Sequence, residues 1–342
     1  MLKKKKNKMK YLNKFNRFYK ILHLLIFATC VNPKNEISKI QGEVFGTYFQ
    51  VSIYQDNWED KITLQEIDSV FTKINQSIST YQENSLIAKY NQGEKVELDE
   101  IFLTVFNESK ILYDKTEHYF NPAIEPLLKA YQKEKDINVK KYLDIVNFDQ
   151  IMLKNENEKF YLEGDGIHQL NFNAIGKGLG VQYLADFLVQ KKLNNFIVEI
   201  GGELVIRGKK GKEFWKIGIE KPMFEKQNVA LAFLELSNIA VATSGSYRQF
   251  IEKNHQKLSH IIDPNTGLAF ISELISVTVL HENCAIADAY ATALMAMGKE
   301  KALDFVKKNK NLPVFFIFQE KDAQISTVFL NFTENGFQIP IF

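Results

Sequence analysis

Residues 42–55, GEVFGTYFQVSIYQ, alternate polar and apolar positions and are rich in β-branched and aromatic side chains. That pattern predicts a pair of strands. Residues 60–78 change to helical spacing, with Ile67, Val70, Phe71 and Ile74 on one face. A second helix is expected over 99–115. PAIEPLLKAYQ opens on Pro122, which suits a first helical turn. Lysines and asparagines mix the signals over 133–168, where a peripheral hairpin is expected. GKGLGVQYLADFLVQKK, 176–192, predicts a helix preceded by a Gly-containing turn. NNFIVEIGGELVIRG then reads as strand, tight turn, strand. FWKIGIEKP, NVALAFLELSNIAVATSG and SELISVTVLHENC add further strands. AIADAYATALMAMG predicts a helix of small and apolar residues ended by Gly298, and 303–342 reads as helix followed by strands. There is no regular βαβ alternation and no fixed-period repeat. The pattern is α+β, with mixed or antiparallel sheets and flanking helices.

Composition changes this picture mainly at the start. The chain has 342 residues, 45% hydrophobic and 25% charged, enough for a sizeable core. Its first twenty residues carry nine basic side chains and no acid. Without those nine, 34 basic residues stand against 41 acidic ones, so the body is mildly acidic and does not favour nucleic acid. The basic run leads into ILHLLIFATC, 21–30, an arrangement expected of an export signal. The apolar stretch is too short for a spanning helix, which needs about 20 residues. Cys30 stands where a lipoprotein signal is cut and acylated, although Phe27, Thr29 and His23 depart from the usual pattern, and Met9 is an alternative start. This divides the chain into an export signal of lipoprotein type (1–30), a linker (31–40) and one main folded domain (41–342), with an expected place outside the cytoplasm on a bacterial membrane. The other cysteine, Cys284, falls in the apolar helix as a core residue; two distant cysteines make neither a zinc ribbon nor a CxxC redox site.

Several stretches carry candidate chemistry. Asp288 and Thr292 are four apart on the predicted helix and share a face. A carboxylate plus a hydroxyl suits Mg²⁺ better than zinc, and Asp288 lies among Ala, Ile, Met and Leu. The alternative is an amphipathic helix with a solvated Asp. AIGKGLG, 174–180, surrounds Lys177 with glycines and reads either as an anion-facing helix start or as a closely packed turn. It is not a P-loop. Gly201–Gly202 reads as a hairpin turn. Thr243-Ser244-Gly245 ends a strand with two hydroxyls. SHIIDPNTG, 259–267, is strand and turn, in which His260 is either structural or a general base near neutral pH.

The order of these stretches is more specific than any of them. STYQENSLIAKYN, FNPAIEPL, AIGKG, IGGEL, ATSGSY, SHIIDPNTG and ADAYATAL together resemble the FAD:protein FMN transferase family, the ApbE-type flavin transferases, over most of the mature chain. The resemblance implies one α+β fold with FAD in a cleft between two halves and Mg²⁺ at the pyrophosphate. It implies that Tyr81 stacks near the flavin and that Phe120, Asn121 and Pro122 line the FAD site. Asn171 belongs to the same site, and Lys177 is the phosphate-side lysine. Thr243, Ser244 and Gly245 contact the nucleotide, and Ile262 lies beside the pyrophosphate. Ala174 offers Mg²⁺ its backbone carbonyl, Asp288 and Thr292 are side-chain ligands, and Ala291 lies beside them. His260 or Asp263 takes or orients the proton of a client hydroxyl.

Three departures stand out. Asn171-Phe172-Asn173-Ala174-Ile175 replaces an Asp-Leu-Gly-Gly/Ala-Ile run, FNPA replaces an FDPT-like run, and Val181-Gln182 replaces Val-Asp. Two acids have become amides, with an expected weakening of FAD or Mg²⁺ affinity. The implied activity is Mg²⁺-dependent transfer of FMN from FAD to a Thr or Ser hydroxyl of an exported or membrane redox subunit, with release of AMP. Rival readings are an FAD pyrophosphatase yielding FMN and AMP, a flavin-binding lipoprotein without chemistry, and a purely structural lipoprotein.

Overall fold

The structure is a computed structural model that describes residues 37–55, 58–59, 61–134, 137–222, 230–246, 250–253, 256–259, 261–269, 272–320 and 324–332. In chain order its elements are β1 (Ser38–Val44), β2 (Thr47–Ile53), α1 (Leu64–Ile78), α2 (Leu86–Asn91), β3 (Lys95–Glu97), α3 (Glu100–Lys115), α4 (Glu125–Lys133), α5 (Lys140–Leu143), β4 (Lys154–Glu156), β5 (Lys159–Glu163), α6 (Asn173–Gln190), β6 (Phe196–Ile200) and β7 (Glu203–Arg207). They continue with β8 (Trp215–Glu220), β9 (Ala230–Leu236), β10 (Ile239–Gly245), β11 (Phe250–Lys253), β12 (Gln256–Ser259), β13 (Leu274–His281), α7 (Cys284–Lys308), β14 (Val314–Gln319) and β15 (Ile325–Leu330). β1 begins three residues inside the stretch read as a linker.

Eight strands form one antiparallel sheet in the order β1-β2-β6-β7-β10-β13-β14-β15. The period of two sorts its side chains between two faces. Val198, Val205 and Ala240 join Leu184, Leu188 and Phe71 on the helical side, and Ala242, Val277, Val279 and Phe316 pack on Ala287, Ala291 and Leu294 of α7. Ile206, Val241, Leu280, Phe315 and Ile317 face the other way, under Trp215, Ile219 and Leu234 of the β8–β9 hairpin. A second helical layer, α1 to α3, packs against α6 and α7 through Phe102, Val105, Phe172, Ile175, Ala285 and Ala289. The expected α+β class is observed, and the main sheet is wholly antiparallel. The region read as a peripheral hairpin is β4–β5, which β3 extends to a three-stranded sheet. Among the described residues no helix is long and apolar enough to cross a membrane.

Of the two readings of 174–180, the helix start is observed: α6 begins at Asn173, and Gly176, Gly178 and Gly180 lie inside it. Gly178 is there for contact: a Cβ on it would stand 2.3 Å from the Cys284 carbonyl oxygen and 2.8 Å from Asp288 Cβ. Gly298 ends the first helical stretch of α7, as expected: its φ of 73° and ψ of 179° are non-helical, and a second helical stretch runs on to Lys308.

These contacts predict opposite effects at neighbouring glycines. Gly178→Ala forces α6 from α7 and lowers stability by about 1–3 kcal/mol. Gly176→Ala, whose Cβ would meet nothing within 4 Å, raises it by about 0.5–1 kcal/mol through helix propensity. Denaturant midpoints of the two variants check both signs.

Candidate active site

The site grows from the crossing of α6 and α7. Asn283 caps α7 by accepting from the Ala285 and Ile286 amides, which fixes the helix start one turn before Asp288. Asp288 is buried and faces α6, where the Gly178 N–H donates to its Oδ2 at 2.9 Å. One residue earlier in α6, Lys177 extends toward the sheet and places Nζ 2.5 Å from Glu203 Oε1. Glu203 is 1% exposed, and the groups that favour its charge are this ammonium and its own backbone N–H.

Two buried carboxylates therefore share one ammonium. Burial pushes the Glu203 carboxyl up to about 8; the Asp288 charge adds to the rise and Lys177 opposes it. Burial also raises Asp288, against the pull of Lys177 and the Gly178 amide. Burial alone would lower Lys177, but Asp288 and Glu203 outweigh it and hold the ammonium charged. The arrangement is short of positive charge.

The remaining motifs gather around this cluster. Thr292, one turn beyond Asp288, lies 3.3 Å from the Ser244 hydroxyl at the end of β10, and Thr243 pairs with Thr278 of β13 at 2.9 Å. Gly245 closes the same strand. Ala174 is in the first turn of α6, while the Ala291 methyl is buried in the core on α7. Tyr81 is 85% exposed, and its hydroxyl accepts from Asn173 Nδ2 at 3.4 Å, at the start of α6. An aromatic ring held only at its tip is free to stack on a planar group.

The flanking segments are pinned by their own polar groups. Phe120 and Pro122 are buried, and the Pro122 carbonyl accepts from the Asn171 N–H at 2.7 Å. Asn121 accepts from the Ala123 N–H, and its Nδ2 donates to the Val146 carbonyl at 3.1 Å. Asn171 Nδ2 donates to Glu125 Oε2 at 2.7 Å while its oxygen accepts from the Asn173 N–H. Both amides donate bonds that an ionised carboxylate cannot, so in this chain they are parts of the scaffold.

Asp263 also has a structural task. Its oxygens accept from the Asn265 N–H and the Thr266 hydroxyl, both at 2.9 Å, and so close the DPNTG turn. Ile262 is buried, and Tyr131 of α4 bonds the Gly267 carbonyl and the Ala269 amide. His260 lies outside the described residues. Sequence reasoning missed Glu203; its one signal was a lone acid opening the apolar strand ELVIR after Gly-Gly.

The donor set fits a hard dication. A buried carboxylate stands one helical turn from a hydroxyl, in a cluster with excess negative charge. Among the described residues no three His, Cys, Asp or Glu side chains converge, so such an ion would complete its shell with phosphate, water or backbone oxygens.

The ApbE family model matches residues 45–316. The chain belongs to the ApbE family. The FAD:protein FMN transferase of Vibrio cholerae serotype O1 is 32% identical over 316 residues, covering 88% of this chain and 92% of its own. That of Haemophilus influenzae is 31% identical over 333 residues, covering 91% and 95%. The solved flavin transferase ApbE from Vibrio cholerae superposes with a TM-score of 0.73 at 28% identity, covering 87% of this chain and 99% of its own. The ApbE frame thus extends over nearly all the described residues.

Two outcomes follow from this geometry. On the expectation that Tyr81 stacks on the flavin, Tyr81→Ala weakens FAD binding by about tenfold, the worth of one stacking contact, and leaves the melting temperature unchanged because the ring is exposed; flavin fluorescence titration and thermal unfolding separate the two. The second concerns pH. The folded Glu203 carboxyl, at about 8 against an ordinary 4.5, holds a proton that the unfolded chain has released. Stability from this group is therefore present below the ordinary value and is lost as pH rises through the folded one. Glu203→Gln cannot ionise, so its stability relative to the parent increases from about pH 5 to about pH 8 in metal-free denaturation.

Proposed function

We propose that this chain is an FAD:protein FMN transferase, moving FMN from FAD to a Thr or Ser hydroxyl of a client redox subunit with release of AMP. The observation that carries it is the buried Asp288–Lys177–Glu203 cluster, edged by Thr292 and Ser244, in a chain of the ApbE family. A diphosphate is the substrate group whose charge suits an ammonium beside a cation-seeking carboxylate. Asp288, Thr292 and the Ala174 carbonyl would hold Mg²⁺, which when bound neutralises charge on the diphosphate. Lys177 meets the remaining phosphate charge. Tyr81 stacks on the flavin, and Thr243, Ser244 and Gly245 meet the nucleotide. Phe120, Asn121, Pro122, Asn171 and Ile262 shape the walls. The client oxygen bonds to the FMN-side phosphorus, the bond to the AMP oxygen breaks, and AMP leaves with that electron pair. His260 takes the hydroxyl proton; the bonds that Asp263 makes in its own turn favour His260 for this role.

The proposal extends to place. The basic start, the apolar run 21–30 and Cys30 support export and a lipid anchor on a bacterial membrane, where redox subunits are clients. The rival reading of a flavin binder without chemistry draws its best support from the amides Asn121 and Asn171; their scaffold bonds favour a structural use of those amides instead.

The test incubates the full chain with FAD, Mg²⁺ and a candidate client subunit. A denaturing gel is read for flavin fluorescence and AMP is measured alongside. The expected result is a fluorescent client band with one AMP per flavin, both lost with EDTA and in Asp288→Asn. AMP without a labelled client identifies a hydrolase, and intact FAD in the presence of Mg²⁺ contradicts both activities.

A further inference from the structure

Lys177 has a long, flexible stem, and its neighbours in α6 are Gly176 and Gly178. Neither sequence neighbour carries a side chain, and the lysine side chain is 37% exposed even though its ammonium sits among buried groups. Two carboxylates compete for its head. Asp288 raises Lys177 through charge, and Glu203 does so through charge and contact. If the ammonium turned to Asp288, it would neutralise the oxygen that the proposed function assigns to the metal. It would also withdraw from the diphosphate.

Glu203 is placed to prevent this. Gly201 and Gly202, at φ of 58° and 106°, turn the chain tightly so that Glu203 opens β7. Strand alternation then puts it on the same face as Val205, toward α6 and α7, while Leu204 points to the opposite face. A carboxylate buried there beside an ammonium adds little to stability, since an apolar residue of similar size serves as well. Its use is orientation. We propose that Glu203 is a positioning residue that tethers the Lys177 ammonium away from Asp288, so that the metal ligand stays free and the lysine faces the diphosphate. This deepens the flavin-transferase reading and rests on it.

The test is equilibrium binding of FAD to the full chain, followed by flavin fluorescence over a range of Mg²⁺ concentrations. Glu203→Leu fills the space without an acceptor, and Glu203→Gln keeps an acceptor. In Glu203→Leu the Mg²⁺ concentration giving half-maximal FAD binding rises by about tenfold or more, the usual cost of losing a partner that orients a binding side chain. Glu203→Gln falls between that and the parent. In a Lys177→Met background, Glu203→Leu adds nothing, because the tether has nothing to hold. A purely structural Glu203 predicts a lowered melting temperature with the Mg²⁺ midpoint unchanged, and that result overturns the proposal. So does a shift of equal size with and without Lys177. Should Glu203→Leu not fold, an unchanged midpoint in Glu203→Gln overturns it equally. Magnesium-dependent FAD binding by the parent without client labelling refutes the transferase reading while the tether stands. A parent that binds no FAD refutes both.

Discussion

Helices α6 and α7 meet at a residue without a side chain, and the site depends on that approach. At Gly178 the backbone of one helix reaches the carboxylate of the other, so Asp288 is buried with an amide on it rather than solvated. The contact also sets the direction of the preceding residue: with Gly178 against α7, Lys177 reaches the sheet and Glu203. A larger residue at 178 would separate the elements that carry Asp288, Lys177 and Glu203. The sheet supplies the other constraint, because β7 and β10 are hydrogen-bonded neighbours and bring Glu203 and Ser244 under the same helix pair.

The electrostatics follow from burial. Two carboxylates in a dry place with one ammonium are not balanced, and their raised proton affinities express the deficit. In the proposed function a dication beside Asp288 and a diphosphate beside Lys177 would correct it from both sides. Such a cluster is better explained as preparation for a charged substrate than as a source of stability, since buried ion pairs contribute little to folding.

Much of this was legible in the chain. Alternation and helical spacing placed the hairpin β1–β2 and helices α1 and α3, which bury one face each, while β7, β10 and α7 are buried on both sides and were legible as apolar runs between turn signals. The i, i+4 relation of Asp288 and Thr292 held on α7. The glycines of 176–180 left a turn open beside the helix start because glycine density is a turn signal, whereas close approach to a helix partner far along the chain uses the same residue. Gly298 was legible as a helix end, and its positive φ and extended ψ separate the two helical stretches of α7. Glu203 was missed because a single acid at a strand start has no partner in sequence. Its meaning appears only when β7 lies beneath α6. The DPNTG turn was visible, but Tyr131, which ties it to α4, is too far away in sequence to be paired with it by pattern. Likewise the two asparagines looked like lost acids until Glu125 and the Val146 carbonyl appeared opposite them.

The central claim is spatial: the helix crossing at Gly178 builds one place for a dication and a diphosphate together. The most direct test is a crystal of the chain with FAD and Mn²⁺, read by the metal's anomalous signal. The account predicts a peak about 2–2.3 Å from an Asp288 carboxylate oxygen and the Thr292 hydroxyl, with a phosphate oxygen on the metal and another facing Lys177. A metal peak away from α7, or a diphosphate out of reach of Lys177, would contradict it.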